Sequence, residues 1–80
     1  MNIFVGNLSK EVDERDLHKI FKPFGLLKSV NLVTDLGTGR FRGCAYVEMF
    51  SNTEALEAIK NLNNQTFQGK RLMVNQRENN

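Results

Sequence analysis

Arg40-Phe41-Arg42-Gly43-Cys44-Ala45-Tyr46-Val47-Glu48-Met49 alternates in side-chain character with a period of two, which marks a strand. Ala45, Val47 and Met49 fall on one face, apolar and small to medium in size, as a core requires. Arg42, Cys44, Tyr46 and Glu48 fall on the other. An arginine and an aromatic ring on one exposed strand face can pair with a phosphate and stack on a base. An ordinary half-buried strand would read much the same, so a second element has to carry the distinction.

That element stands at the N-terminus. In Ile3-Phe4-Val5-Gly6-Asn7-Leu8 the apolar Ile3 and Val5 point one way and Phe4 the other. An exposed Phe alone is unremarkable; beside an exposed Tyr and Arg on a neighbouring strand it makes a stacking platform. The stretch from Arg42 to Met49 resembles the RNP1 octapeptide of the RNA recognition motif family. Ile3 to Leu8 resembles RNP2, the hexapeptide that the family carries on its first strand. Their order and separation match as well, and the resemblance spans essentially the whole chain. It implies that Phe4 and Tyr46 each stack on a base and that Arg42 pairs with backbone phosphate. Two positions depart from the pattern. Cys44 stands where the family carries its first RNP1 aromatic, so a ring against the nucleotide sugars is missing. Met49 replaces the last aromatic but faces the core, where Met fills the volume.

Eighty residues make one small domain. Apolar content of 40% and charged content of 25% are those of a globular chain rather than a disordered one. No apolar run approaches membrane-spanning length, and Met1 leads straight into the first strand without the regions of a secretory signal. The single cysteine can form no internal disulfide, and no Cys/His spacing suggests a metal. A cytoplasmic protein without cofactor or metal is expected. Net charge is only +2, but it is unevenly placed. Between Lys10 and Phe24 the basic residues are cancelled by Glu11, Asp13, Glu14 and Asp16. Between Leu36 and Val47 the charges are Arg40 and Arg42; between Gln68 and Arg77 they are Lys70, Arg71 and Arg77. This excess beside the aromatics suits a role in tracking phosphates.

In chain order, Asn2 to Gly6 reads as strand one. Asp13 is a candidate N-cap for a helix to about Lys22, with Leu17, Ile20, Phe21 and Phe24 at helical spacing and Pro23 and Gly25 ending it. Leu26 to Thr34 reads as strand two, with Leu27, Val30 and Leu32 inward and Ser29, Asn31 and Val33 on the open side. The glycines of Asp35-Leu36-Gly37-Thr38-Gly39 precede a strand and lack the Lys-Ser/Thr ending of a phosphate-binding loop. Strand three ends near Phe50. Ser51-Asn52-Thr53-Glu54 has the form of a capping box, and the helix to about Leu62 is expected to bury Ala55, Ala58, Ile59 and Leu62. Thr66-Phe67-Gln68 reads as a short extra strand. Strand four runs from Arg71 to Asn75, with Leu72 and Val74 inward and Arg71, Met73 and Asn75 outward. From Gln76 the chain is polar, with nothing to bury, and is expected to fray. The domain is taken as residues 1–77, with 78–80 as a tail.

The order is βαββαβ, an α+β ferredoxin-like fold with both helices on one face of a four-stranded antiparallel sheet of order 4-1-3-2. Strands one and three are then central neighbours, and Phe4 and Tyr46 meet on the bare face. The expected partner is single-stranded RNA, or single-stranded DNA by the same chemistry, bound by a monomer engaged in post-transcriptional regulation or chaperoning of RNA. Asn31, Asn75, Gln76 and Arg77 are candidates to read base edges. Arg40, Arg71 and Met73 complete the expected surface, and Phe41 either swings over RNA or pins its loop. The rival reading is a protein-docking module on the same fold, which predicts tolerance of Arg42→Ala. Catalysis finds little support, since no nucleophile has a base beside it. A chain running from strand one to just past strand four is similar to the small stand-alone bacterial members of the family.

Overall fold

A computed structural model describes residues 1–77, and the tail expected at 78–80 lies outside the described residues. The described residues form six strands and two α-helices, and the fourth expected strand is divided. β1 is Asn2–Gly6, α1 Glu14–Phe21, β2 Leu27–Thr34, β3 Phe41–Met49 and α2 Asn52–Leu62; β4 (Thr66–Phe67), β5 (Lys70–Arg71) and β6 (Met73–Gln76) follow. The main sheet has the order β2-β3-β1-β6 and every neighbouring pair is antiparallel. With β6 as the fourth strand, this is the ferredoxin-like βαββαβ arrangement expected from the sequence.

Each helix begins on an acceptor side chain. Asp13 accepts from the Asp16 amide at 3.0 Å while Asp16 accepts from the Asp13 amide at 3.1 Å, a reciprocal box that satisfies two orphan donors. Ser51 accepts from the Glu54 amide at 3.2 Å. The Glu54 carboxylate lies instead against Gly25, where a Cβ would overlap its Oε1. Gly25 has φ of 154°, a conformation nearly closed to other residues, and it ends the 3₁₀ turn Lys22–Phe24 that follows α1.

One core lies between the helices and the sheet. Ile3, Val5, Ala45, Val47, Leu72 and Val74 from the strand side meet Leu17 and Phe21 of α1 and Ala55 and Ala58 of α2, all at 0–1% exposure. Fully burying such side chains contributes roughly 1.5–3 kcal/mol each for the larger ones. Ile59 and Leu62, expected to be buried, are only half-buried against this cluster, while Ala55 and Ala58 face it directly. Leu8 and Val12, in the link between β1 and α1, are buried as well.

Two irregularities shape the sheet. Lys28 is an extra residue in β2, between the pairs Leu27↔Met49 and Ser29↔Glu48. It is why Leu27 and Val30, three apart, can both face the core. In β3 the span from Phe41 to Ala45 opposes only Thr34 to Leu32, with Gly43 at φ 83° inside the bulge. The Gly43 carbonyl accepts from the Leu8 amide at 2.8 Å, so the bulge anchors the loop that leaves β1.

The fourth strand starts later than expected. Arg71 pairs with Thr66 in a separate hairpin of β4 and β5, and only Met73–Gln76 joins β1. Gln68 and Gly69 both have positive φ, as a tight two-residue hairpin turn requires. Leu72 donates its amide to Gln65 and accepts from Asn64, which breaks the run between Arg71 and Met73. At the other end β6 extends through Gln76, and the Arg77 amide donates to Asn2 at 2.8 Å. Gln76 and Arg77 are therefore tied to β1 rather than frayed.

Candidate nucleic-acid interface

Strand pairing arranges the open face in rows that run across the sheet. Asn31 pairs with Tyr46, Tyr46 with Phe4, and Phe4 with Asn75, so an amide flanks two central rings on each side. One register step toward the start of β1 stand Ser29, Glu48 and Asn2, followed by Arg77. One step the other way stand Gly6 and Met73, with Cys44 next to Gly6 by the alternation of β3. Among the described residues no helix covers these rows, since both helices pack on the buried side of the same strands.

Phe4 and Tyr46 have ring centroids 5.7 Å apart and planes inclined by 56°, the tilted geometry favoured by aromatic quadrupoles. Both rings are half-buried. Phe4 leans along its own strand, for a Cβ on Gly6 would come 2.8 Å from its Cε2. Glycine therefore gives the ring a flat seat beside Met73, which is 53% exposed. Tyr46, Phe4 and Met73 form a continuous apolar strip.

Tyr46 is not bare. The Arg77 guanidinium carbon sits 4.1 Å from its ring centroid, a cation–π contact of about 0.5–2 kcal/mol. The sequence makes Arg77 a candidate to read base edges, yet the structure seats it on the ring itself. The signal was available in principle: Arg77 is two residues beyond Asn75 and so faces the same side.

The remaining expected residues do not all gather at the rings. Asn31, Asn75, Arg42 and Arg40 are exposed around the rings or beside the β3 bulge. Gln76 is exposed too, but it pairs with the buried Ile3, one residue out of step with Asn75 and Arg77, so it falls on the helix side of the sheet and not among the rings. Cys44 is half-buried next to the glycine seat, leaving the row without a third ring. Arg71 is exposed but belongs to the side hairpin, where its carbonyl accepts from Asn7 Nδ2 at 2.7 Å. Phe41 is not in a loop; it opens β3 and packs, half-buried, against the core cluster. Lys28 approaches Glu48 at 3.7 Å on the edge of the face, a pair that the sequence did not announce because it depends on the β2 bulge.

Beyond the rings, the turn joining β2 to β3 is built on Asp35. Its Oδ1 accepts from the amides of Thr38 at 3.0 Å and Gly37 at 2.8 Å, and these bonds hold the carboxyl below its usual pKa. The Ser9 hydroxyl does the same for Glu11 in the link after β1. Among the described residues, no three His, Cys, Asp or Glu side chains gather into a metal-binding group. A hollow on the other side of the molecule is lined by His18, Lys22, Gly25, Leu26 and Leu27, away from both rings.

The family model described as RNA recognition motif matches residues 3–73. A Nostoc protein named for RNA binding, RbpF, is 47% identical over 75 residues, covering 94% of this chain and 71% of its own. A Synechocystis protein named likewise, RbpA, is 44% identical over 75 residues, 94% of this chain and 74% of its own. Among solved structures, the RNA-binding protein PG1 superposes with a TM-score of 0.95 at 41% identity, covering 100% of this chain and 96% of that one. The Sex-lethal protein in complex with RNA superposes at 0.92 with 30% identity, covering 99% of this chain and 47% of that one.

Proposed function

The chain belongs to the RNA recognition motif family, and from that premise we propose that it binds single-stranded RNA on the open face of its sheet. One base stacks on Phe4 and another on Tyr46, while Arg42 and Arg40 neutralise phosphates where the strand passes the β3 bulge. The observation that carries this reading is the adjacency of the two rings, 5.7 Å apart on the two central strands, on a face that no helix covers. A wet sheet face ordinarily carries polar residues, and a seated aromatic pair there calls for a planar ligand.

Each stacked base contributes roughly 1–3 kcal/mol. Two bases with a few phosphate contacts give at most about 8 kcal/mol, which is micromolar binding. Arg77 gives up its ring contact when a base takes Tyr46, and its guanidinium then turns to the backbone of the RNA. Asn31 and Asn75, at the two ends of the ring row, hydrogen-bond to base edges, and single-stranded DNA fits the same stacking chemistry less a 2′-hydroxyl. The module binds and does no chemistry of its own. Its role is post-transcriptional regulation or chaperoning of RNA in the cytoplasm.

Selection from a random single-stranded RNA pool tests the proposal, run on the wild type and on the Phe4→Ala/Tyr46→Ala variant. The wild type should enrich a short unpaired motif and the variant none. Equal enrichment by both would place the RNA elsewhere on the molecule.

A further inference from the structure

We infer that Glu48 selects the base stacked on Tyr46, favouring guanine and rejecting uracil; this rests on the proposed RNA-binding face. Glu48 is two residues along β3 from Tyr46, about 7 Å, and on the same side of the sheet. It is an acid on a face otherwise furnished with amides, a hydroxyl, rings and cations. Its carboxylate is partly exposed, its Oε2 stands 3.7 Å from Lys28, and among the described residues no donor is hydrogen-bonded to it.

Such a group is out of place on a surface that only tracks phosphate, because it repels the backbone that the neighbouring arginines attract. The exposed contact with Lys28 offsets little of that repulsion. A carboxylate can only accept hydrogen bonds, so its favourable use beside a stacked base is to take donors from the base edge. Guanine presents an N1–H next to an exocyclic amino group, two parallel donors that match the two carboxylate oxygens. Cytosine and adenine offer a single amino group. Uracil presents one N–H between two carbonyl oxygens, which face the carboxylate with like polarity. The order of preference is therefore guanine first and uracil last. Lys28 approaches the carboxylate at the edge of the row, and Ser29 and Asn2 are the register neighbours of Glu48.

The test uses the full chain and two single-stranded RNA hexamers at low ionic strength: all-uridine, and the same sequence with one central guanosine. A matched bidentate edge contact should favour the guanosine probe about tenfold or more. In Glu48→Gln, whose amide both donates and accepts, that preference should fall below about threefold. A preference equal in wild type and Glu48→Gln, no preference in the wild type, or a uniform tightening of both probes in the variant would overturn the assignment. If binding in those cases is still lost in Phe4→Ala/Tyr46→Ala, the RNA-binding reading stands without it. Wild-type protein that binds neither probe, or binds equally well after loss of both rings, removes the RNA-binding reading and the role of Glu48 together.

Discussion

The two faces of the main sheet are made by the same strands, one residue out of step, and they obey different physics. On the helix side Ile3, Val5, Ala45, Val47 and Val74 are wholly buried and any apolar side chain of similar volume would serve. On the open side Phe4 and Tyr46 stand where burial is incomplete, and their placement depends on detail: a glycine seat, a tilted neighbour and an arginine lying on one ring. The first face makes the fold, and the second carries the proposed site. A change on one should leave the other nearly untouched.

The largest effect belongs to the buried side. Phe21→Ala should cost about 3–5 kcal/mol of stability, read by urea unfolding, while the molecules that remain folded bind RNA as before. Tyr46→Ala should weigh the other way, losing roughly 1–3 kcal/mol of RNA affinity and about 1–2 kcal/mol of stability from the ring pair and the Arg77 contact. Comparable destabilisation by both substitutions would mean that Tyr46 is a core residue.

Filling the gap in the open face comes next. Cys44 sits beside Gly6 where a third ring could stand, so Cys44→Phe should tighten RNA binding by up to about 1 kcal/mol in a direct titration. Unchanged or weaker binding would count against the strand passing over that row. Electrostatics is a smaller term. With about three phosphates neutralised, log affinity against log salt should slope near −2, and Arg42→Ala should bring it to about −1.4. An unaltered slope would remove Arg42 from the phosphate path.

The smallest effect lies off both faces, in the turn between β2 and β3. The Asp35 carboxyl is held below its usual pKa by the amides of Thr38 and Gly37. Its contribution is thus fully present above the unfolded-state value and fades as pH falls through the lowered folded value. Amide exchange at Gly37 and Thr38, corrected for its intrinsic pH dependence, should lose protection only on acidification below the ordinary aspartate range. In Asp35→Ala that protection should be absent at every pH; an unchanged profile in the variant would assign the effect to another group.

Much of this arrangement is legible in the sequence. Alternation in Ile3-Phe4-Val5 and in Ala45-Tyr46-Val47 separates inward from outward residues, and the order of elements makes their strands neighbours. The three-residue step from Leu27 to Val30 already requires the bulge that Lys28 supplies. Arg71 reads as the start of strand four because Arg71-Leu72-Met73-Val74 alternates as cleanly as an unbroken strand. The interruption comes from Leu72 bonding back to Gln65, and from Gln68 taking positive φ without being a usual turn residue. Phe41 eluded a single reading because its side depends on the Gly43 bulge. Pairings such as Arg77 on Tyr46 and Lys28 with Glu48 depend on side-chain reach across strands, which no local pattern encodes.

Tyr46 is the only tyrosine of a chain without tryptophan, so its intrinsic fluorescence reports on the ring row alone. Titration with unpaired RNA at low ionic strength should change that emission saturably, as a base displaces Arg77 from the ring and stacks in its place. Saturable binding of RNA with the tyrosine signal flat throughout would contradict stacking at Tyr46 and put the ligand on another surface.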